Sequence, residues 1–377
     1  MNSHEVNPQP GKPAPTSGLA PDSLLLERAG RLPMLICGVA GVAGYNGLLH
    51  FRNKYGAAII GQRTTNNWPL SGHGIYGIDV DDYDSLRALI AKYNVRSIWN
   101  SGGSCALKAC ELDPAMARRV NVTGVRNILR AIDGTDIRLV HYSIDLVYSG
   151  TAGGGHIESD PTDPVTVYGK TMVEAEEMIL AEKPGACVLR ISLPMGVSFN
   201  GHAGAIDWIQ SRFAAAKPAT LYFDEVRTPT YVECMHDVVE EVMASEIRGL
   251  YHAGGTRRLS LYQIAQIVNR MGGYDPRLLR GCPRIEAGPV PPRAGNVTMD
   301  SSALAAALGR PPFVPWPYFD WMVPDSDNWH FDRPGIPDEF PLQWLKQFHE
   351  EQMKRCVAGK LPLPRREPIH GLTWIPR

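Results

Sequence analysis

The run Cys37–Gly44, CGVAGVAG, constrains this chain more than any other feature, because Gly38, Gly41 and Gly44 recur in G-x-x-G-x-x-G spacing. The run continues a short apolar segment from Pro33 and leads into the helix-like stretch GYNGLLHFRNKYG. Glycine permits the tight turn and lets backbone approach a pyrophosphate, while the helix N-terminus offers unpaired N–H groups and a favourable dipole. The same strand-then-helix rhythm continues downstream. Apolar strand patterns cover Ala57–Arg63, Val95–Gly102, Ile137–Ile144 and Gly185–Ser192, and helical patterns cover Asp81–Asn94, Asp113–Ile132 and Tyr168–Glu182. Strands and helices alternating through short connections predict an α/β fold, a parallel sheet with helices on both faces.

Beyond about residue 191 the alternation loosens. Helical patterns remain at Leu259–Gly273 and Ser301–Gly309, which suggests a smaller α/β lobe. The expected organisation is a flexible tail over 1–31 with a short helix in Ser23–Gly30, a dinucleotide-binding core over 32–190, a mainly substrate-binding lobe over 191–315 with some segments returning to the core, and an extension over 316–377. The extension holds five of the eight tryptophans and one helical pattern, Pro341–Gly359. So much aromatic surface is expected to pack on the body or on a partner.

Bulk properties exclude several classes. A net charge of -1 and a pI near 6.8 give no reason for nucleic acid or an anionic membrane as partner. The seven cysteines are scattered with no C-x-x-C pair, so neither a zinc site nor a disulfide framework is expected. No apolar run is long enough to span a bilayer, and the N-terminus lacks a signal-peptide pattern. A cytoplasmic protein with a small-molecule substrate and no metal is the expectation.

The second strand pattern ends in Gln62 and Arg63, where an NAD enzyme usually offers an acid to the ribose diol. A guanidinium suits a 2′-phosphate, which favours NADP over NAD unless Arg63 is a solvated loop cation. Asp79 and Val80 follow a third short strand and are placed to meet adenine. Asn100, Ser101 and Gly102 end the next strand, where a dinucleotide would cross the sheet. Pro194, beyond Gly185–Ser192, completes the cofactor-binding set.

With these residues the chain resembles an extended short-chain dehydrogenase, most closely the dTDP-4-dehydrorhamnose reductase family, over roughly residues 33–310. The likeness rests on the glycine loop, VNVTGVRNIL (Val120–Leu129), SIDLVYSG (Ser143–Gly150), PVTVYGKTMVEAE (Pro164–Glu176), RTPTYVECMHDV (Arg227–Val238) and PPRAGNVTMDSSAL (Pro291–Leu304). It implies a Rossmann-type doubly wound parallel sheet with a smaller substrate lobe, a nicotinamide cofactor and a nucleotide-sugar substrate. It also implies a homodimer through helices near 112–131 and 168–182. By the same likeness Arg227 and Tyr231 would meet a diphosphate or sugar, although Arg227 can instead pair with Glu225.

The family's proton chemistry uses a hydroxyl, a tyrosine and a lysine. Tyr168 is kept, but Met172 stands four residues on in place of the lysine and Ile144 in place of the Ser/Thr. Neither side chain supplies a charge or a strong hydrogen bond. Lys170 falls on another helix face, and Ser143 faces the other side of its strand. Lys108 and His141 are possible cations nearby, and Cys105 reads as a small buried residue. Asp145 is either a catalytic acid, by likeness to related sugar-nucleotide dehydratases, or a carboxylate that caps a loop. Three readings follow. One is an atypical NAD(P)-dependent enzyme using Tyr168 with Asp145. Another is a cofactor-binding regulatory or assembly subunit, a use that the methionine adenosyltransferase regulatory subunit shows is possible on this frame. The last is a non-redox lyase or isomerase.

Overall fold

The computed structural model describes residues 24–201, 203–332, 342–348 and 372–374. Its centre is a sheet of β1 (Met34–Cys37), β2 (Ile59–Arg63), β3 (Ile75–Gly77), β4 (Ser97–Asn100), β5 (Arg138–Ile144), β6 (Cys187–Ile191) and β7 (Gly249–Ala253). Every ladder is parallel, and the strands lie in the order β3-β2-β1-β4-β5-β6-β7. Strand order reverses at β1, so the chain leaves β1 and β4 in opposite directions. A crevice opens at their carboxyl ends, where ligands bind in open sheets of this kind.

Side chains alternate between the two faces along each strand. Met34 and Ile36 join the core beneath helices Val42–Tyr55 and Val232–Ala244, whereas Leu35 and Cys37 join the one beneath Tyr83–Tyr93, Gly124–Ala131 and Val167–Glu182. Helices Ala205–Ala214 and Val232–Ala244 and strand β7 lie in the stretch where the sequence pattern loosens. β7 returns to the sheet edge beside β6.

The long helix expected over 113–132 is not continuous. Pro114–Arg118 and Gly124–Ala131 are joined by a π turn, Arg119–Thr123. Such turns insert one residue and turn a side chain inward. Here it is Asn121, whose amide oxygen takes the Ser104 N–H at 2.7 Å and whose nitrogen donates to Thr171 at 2.9 Å.

Part of the stretch read as a tail packs on the body. Leu25–Arg28 is helical, and Leu26 is fully buried in the core because its apolar side chain docks on Val232–Ala244; residues 1–23 lie outside the described residues. Trp316, Trp329 and Trp344 of the extension are buried against the body, and the Trp316 indole donates to the Leu345 carbonyl at 2.8 Å. The helix expected over Pro341–Gly359 is a 3₁₀ turn at Leu342–Leu345, and most of the remainder lies outside the described residues. Leu372–Trp374 pairs antiparallel with Leu70–Gly72.

Candidate functional site

The crevice begins at the glycine loop. Gly38 has φ +79°, and a Cβ there would sit 2.4 Å from Gly102 Cα. One at Gly44 would lie 2.5 Å from the Gly38 carbonyl oxygen and 2.6 Å from Ser101 Oγ. Both glycines are therefore required by loop-against-loop packing. Gly41 is the N-cap of Val42–Tyr55, and no side chain caps that end. The N–H groups of the first turn have no acceptor within the helix and suit an anion.

Gln62, in the place of the usual acid, secures this loop. Its amide oxygen takes the Gly38 N–H at 3.1 Å, and its nitrogen donates to the Ile78 carbonyl at 2.5 Å. Arg63 is also engaged, with Nε donating to the Leu70 carbonyl at 2.5 Å and Nη1 to that of Thr64 at 3.0 Å. Asp79 accepts from the Thr65 N–H at 2.9 Å and its hydroxyl at 2.7 Å. Asp79, Val80, Asn100 and Gly102 line one cleft with Gln62 and Gly124. Asn100 accepts from the Gly102 N–H at 3.1 Å and donates to His141 Nδ1 at 2.9 Å. Ser101 donates to the Cys37 carbonyl at 2.8 Å. These polar groups shape the crevice from behind.

At its far end stands Tyr168, in the first turn of Val167–Glu182. Thr166 caps that helix by accepting the Gly169 N–H at 2.9 Å. A Cβ on Gly169 would lie 2.2 Å from the Leu146 carbonyl oxygen, so the helix rests directly on the end of β5. The Tyr168 side chain is 7% exposed. No hydrogen bond to its hydroxyl is found among the described residues. Burial holds the phenol well above its ordinary value; Cys105, Asp145 and Cys110 add to this, and Arg227 opposes it. Met172 is buried beside Tyr168, in one apolar cluster with Leu146, Val147, Val297 and Met299, and Ile144 packs against that cluster. The usual lysine and hydroxyl positions have thus become hydrocarbon.

Asp145, fully buried, is the hub of the polar part. Its carboxylate accepts from Arg227 Nε at 2.6 Å, Arg227 Nη2 at 2.5 Å and Ser192 Oγ at 2.5 Å. Burial raises its pKa, with Arg227 and Ser192 pulling the other way. Arg227 is 4% exposed, and its Nη1 lies 3.8 Å from Glu225, which is 3.6 Å from Arg293. Of the two readings weighed for Arg227, the pairing with Glu225 is present at 3.8 Å, while its shorter bonds go to Asp145. Ser192 also accepts the Thr228 N–H at 3.1 Å, so its hydroxyl is already committed.

Tyr231 is 1% exposed; its hydroxyl accepts the Tyr318 N–H at 3.1 Å and its ring meets Phe348. It anchors the extension. Pro194 begins the short strand Pro194–Met195, which pairs in parallel with Thr230–Tyr231. Lys170 and Lys108 are exposed, while His141 is fully buried and pushed down to about 4, hence neutral. Cys105, expected inside, is exposed because it lies on the loop between β4 and Leu107–Leu112. Sequence reasoning missed Gln62 as a loop holder and Asn121 as the link between the Ser104 loop and Val167–Glu182. A buried amide inside an apolar helical pattern was the available signal for Asn121.

A family model described as RmlD substrate binding domain matches residues 35–316. The chain belongs to this family. The match ends where the tryptophan-rich extension begins. Among curated relatives, the family member is 24% identical over 277 residues to the probable low-salt glycan biosynthesis reductase Agl14 of Haloferax volcanii, covering 72% of this chain and 92% of that protein. It is 26% identical over 277 residues to methionine adenosyltransferase 2 subunit beta of Xenopus laevis, covering 70% and 80% of the two chains. The solved dTDP-4-dehydrorhamnose reductase from Bacillus anthracis, in complex with NADP, superposes with a TM-score of 0.65 at 16% identity, covering 75% of this chain and 95% of the other. The expected doubly wound α/β fold is thereby confirmed.

Proposed function

We propose that this RmlD-family chain binds a nicotinamide dinucleotide in the β1/β4 crevice and reduces a carbonyl on a sugar nucleotide or similar polar substrate. The observation that carries the reading is Tyr168, whose buried, protonated hydroxyl has no hydrogen-bond partner among the described residues and stands beyond the glycine loop. The crevice suits the cofactor. Its uncapped helix start presents N–H groups to a pyrophosphate, and Asp79, Val80 and Gly124 form a half-apolar slot for an adenine. Gly38, Gly44 and Gly102 keep that approach open. When bound, the nicotinamide supplies hydride. Tyr168 Oη donates its proton to the substrate oxygen, and the apolar wall of Met172, Leu146 and Val147 keeps water from competing for it.

Burial keeps the Tyr168 phenol protonated at neutral pH, the state that donates to a substrate oxygen during reduction. NADP is favoured through Arg63, whose Nη2 makes no bond among the described residues while Nε and Nη1 fix its orientation. A homodimer through the helices near 112–131 and 168–182 completes the proposal, and molar mass by light scattering checks it. The functional test is loss of NADPH absorbance with dTDP-4-keto-6-deoxyhexose, set against Tyr168→Phe; equal rates in the two proteins would remove Tyr168 from the reaction.

A second reading, a cofactor-binding subunit without turnover, is favoured by the hydrocarbon at Met172 and Ile144 and by the likeness to the methionine adenosyltransferase subunit. NADPH binding by calorimetry, with no consumption of any offered nucleotide sugar, would support it.

A further inference from the structure

We infer that the tryptophan-rich extension is part of the dinucleotide site: Lys346, acting through Asp207, positions residues 196–198 against the start of helix Val42–Tyr55. This rests on the reading of the crevice as a nicotinamide dinucleotide site, and it adds to that site a stretch lying beyond the family match.

The connection is a series of contacts. Asn46, 8% exposed, donates through Nδ2 to the Val42 carbonyl and to the Val197 carbonyl, both at 2.7 Å. A Cβ at Gly196 would lie 2.8 Å from Asn46 Nδ2, and one at Gly204 would lie 2.7 Å from Val42 Cγ2. Gly196 and Gly204 thus both bear on the start of Val42–Tyr55, whose N–H groups suit a pyrophosphate. Ser198 is held in turn by Asp207, whose Oδ2 takes the Ser198 N–H at 3.0 Å and its hydroxyl at 2.5 Å. Asp207 lies in the first turn of Ala205–Ala214 and is 5% exposed. The helix dipole alone favours a carboxylate there, but each oxygen of this one has a further use. Its Oδ1 accepts from Lys346 Nζ.

Lys346 brings its charge from outside the family fold. It follows Trp344 and Leu345, both buried, and the Leu345 carbonyl takes the Trp316 indole N–H. Its own N–H donates to the Gln343 carbonyl at 2.8 Å, and Nζ also donates to Gln210 Oε1 at 2.6 Å. A packed turn therefore delivers the ammonium to Asp207. A buried carboxylate depends on such a partner, and Lys346 is the only salt-bridge partner of Asp207 among the described residues. The buried tryptophans show only that the extension packs. The ion pair behind Ser198 is what ties it to binding, with Lys346 and Asp207 as positioning residues.

The full chain is titrated with NADPH by calorimetry as the parent, Lys346→Met, Asp207→Asn and the double variant. Lys346→Met should weaken binding about fivefold or more, the lower end of coupling between linked sites. Because Lys346 acts through Asp207, its loss should weaken Asp207→Asn no further, whereas a packing effect of the extension alone would add in full. Parent affinity in Lys346→Met, or full additivity, overturns the inference. Amide hydrogen exchange of the ligand-free proteins supplies the second readout. Lys346→Met should speed exchange at Ser198 and over residues 42–46, with β5 and β6 at parent rates; parent rates everywhere would overturn the positioning. A parent chain that binds no NADPH removes the dinucleotide reading, and the exchange rates then decide the positioning alone. Should Lys346→Met not fold, Ser198→Ala, which removes one bond to Asp207, replaces it in both measurements, and parent values in both overturn the inference.

Discussion

Two buried arginine–carboxylate pairs differ in how complete they are. Arg190 donates to Glu176 through Nε and Nη2, at 3.0 and 2.7 Å to the nearest oxygens, and to the Tyr148 hydroxyl at 2.6 Å through Nη1. Tyr148 continues to His252 Nε2 at 2.9 Å and stacks on His156, so the network closes on itself. Arg227 bonds Asp145 equally well, but its Nη1 has only a 3.8 Å contact with Glu225, and its field reaches Tyr168. The first pair is an internal brace. The second pair has a further carboxylate, Glu225, beside it instead of a closed hydrogen-bond network.

The comparison can be broken in graded ways. The largest effect is expected from Tyr168→Phe, because losing an acid–base group typically costs about 10²–10⁴-fold in rate; steady-state NADPH oxidation at fixed substrate reads it. Arg190→Met comes next. Removing one partner of a buried pair costs about 3–5 kcal/mol, measured as a lower urea midpoint. The Tyr168 ionisation of that variant should stay at the parent value. A moved Tyr168 midpoint would mean that the brace also tunes the site and that the two pairs are one system.

Glu233 sharpens the contrast as a half-buried carboxylate with no salt bridge among the described residues. It accepts the Phe348 N–H of the extension, one of its oxygens has no partner, and burial raises it to about 7 from 4.5. The unfolded chain releases this proton at the lower pH, so the native state binds more protons between those values. Stability therefore falls as pH rises from about 4.5 to about 7, by up to about 3 kcal/mol. Glu233→Gln should flatten that slope in thermal melts; an unchanged slope would place the cause elsewhere. The smallest change in rate is expected from Met172→Lys. An ammonium in that apolar cluster is desolvated, and Ile144 still lacks a hydroxyl. It should lower the melting temperature and bring no gain in NADPH oxidation.

The sheet and its switch point were legible because buried parallel strands are short continuous apolar runs, and because Gly38 and Gly44 have steric reasons to be glycine that hold in any such loop. Loss of the lysine and hydroxyl was legible at Met172 and Ile144, since the resemblance to the reductase family assigns those positions to the site. The partners of polar groups were not. Gln62 reads as a missing ribose acid and is a brace for Gly38; Tyr231 reads as a substrate contact and anchors Tyr318. Asn121 was hidden inside a helix pattern because a π turn leaves little trace in apolar spacing.

The sequence by itself determined the layered fold and the crevice at β1 and β4, because each depends on local periodicity and on glycine stereochemistry; the tyrosine was marked by the family resemblance. Only the tertiary structure decided that Asp145 meets Arg227 across 82 positions of chain. Burial energetics explain why no local pattern could announce that pair. A carboxylate and a guanidinium are stable inside a protein when brought together with full hydrogen bonding, and which two meet is set by how the lobe folds back onto the sheet.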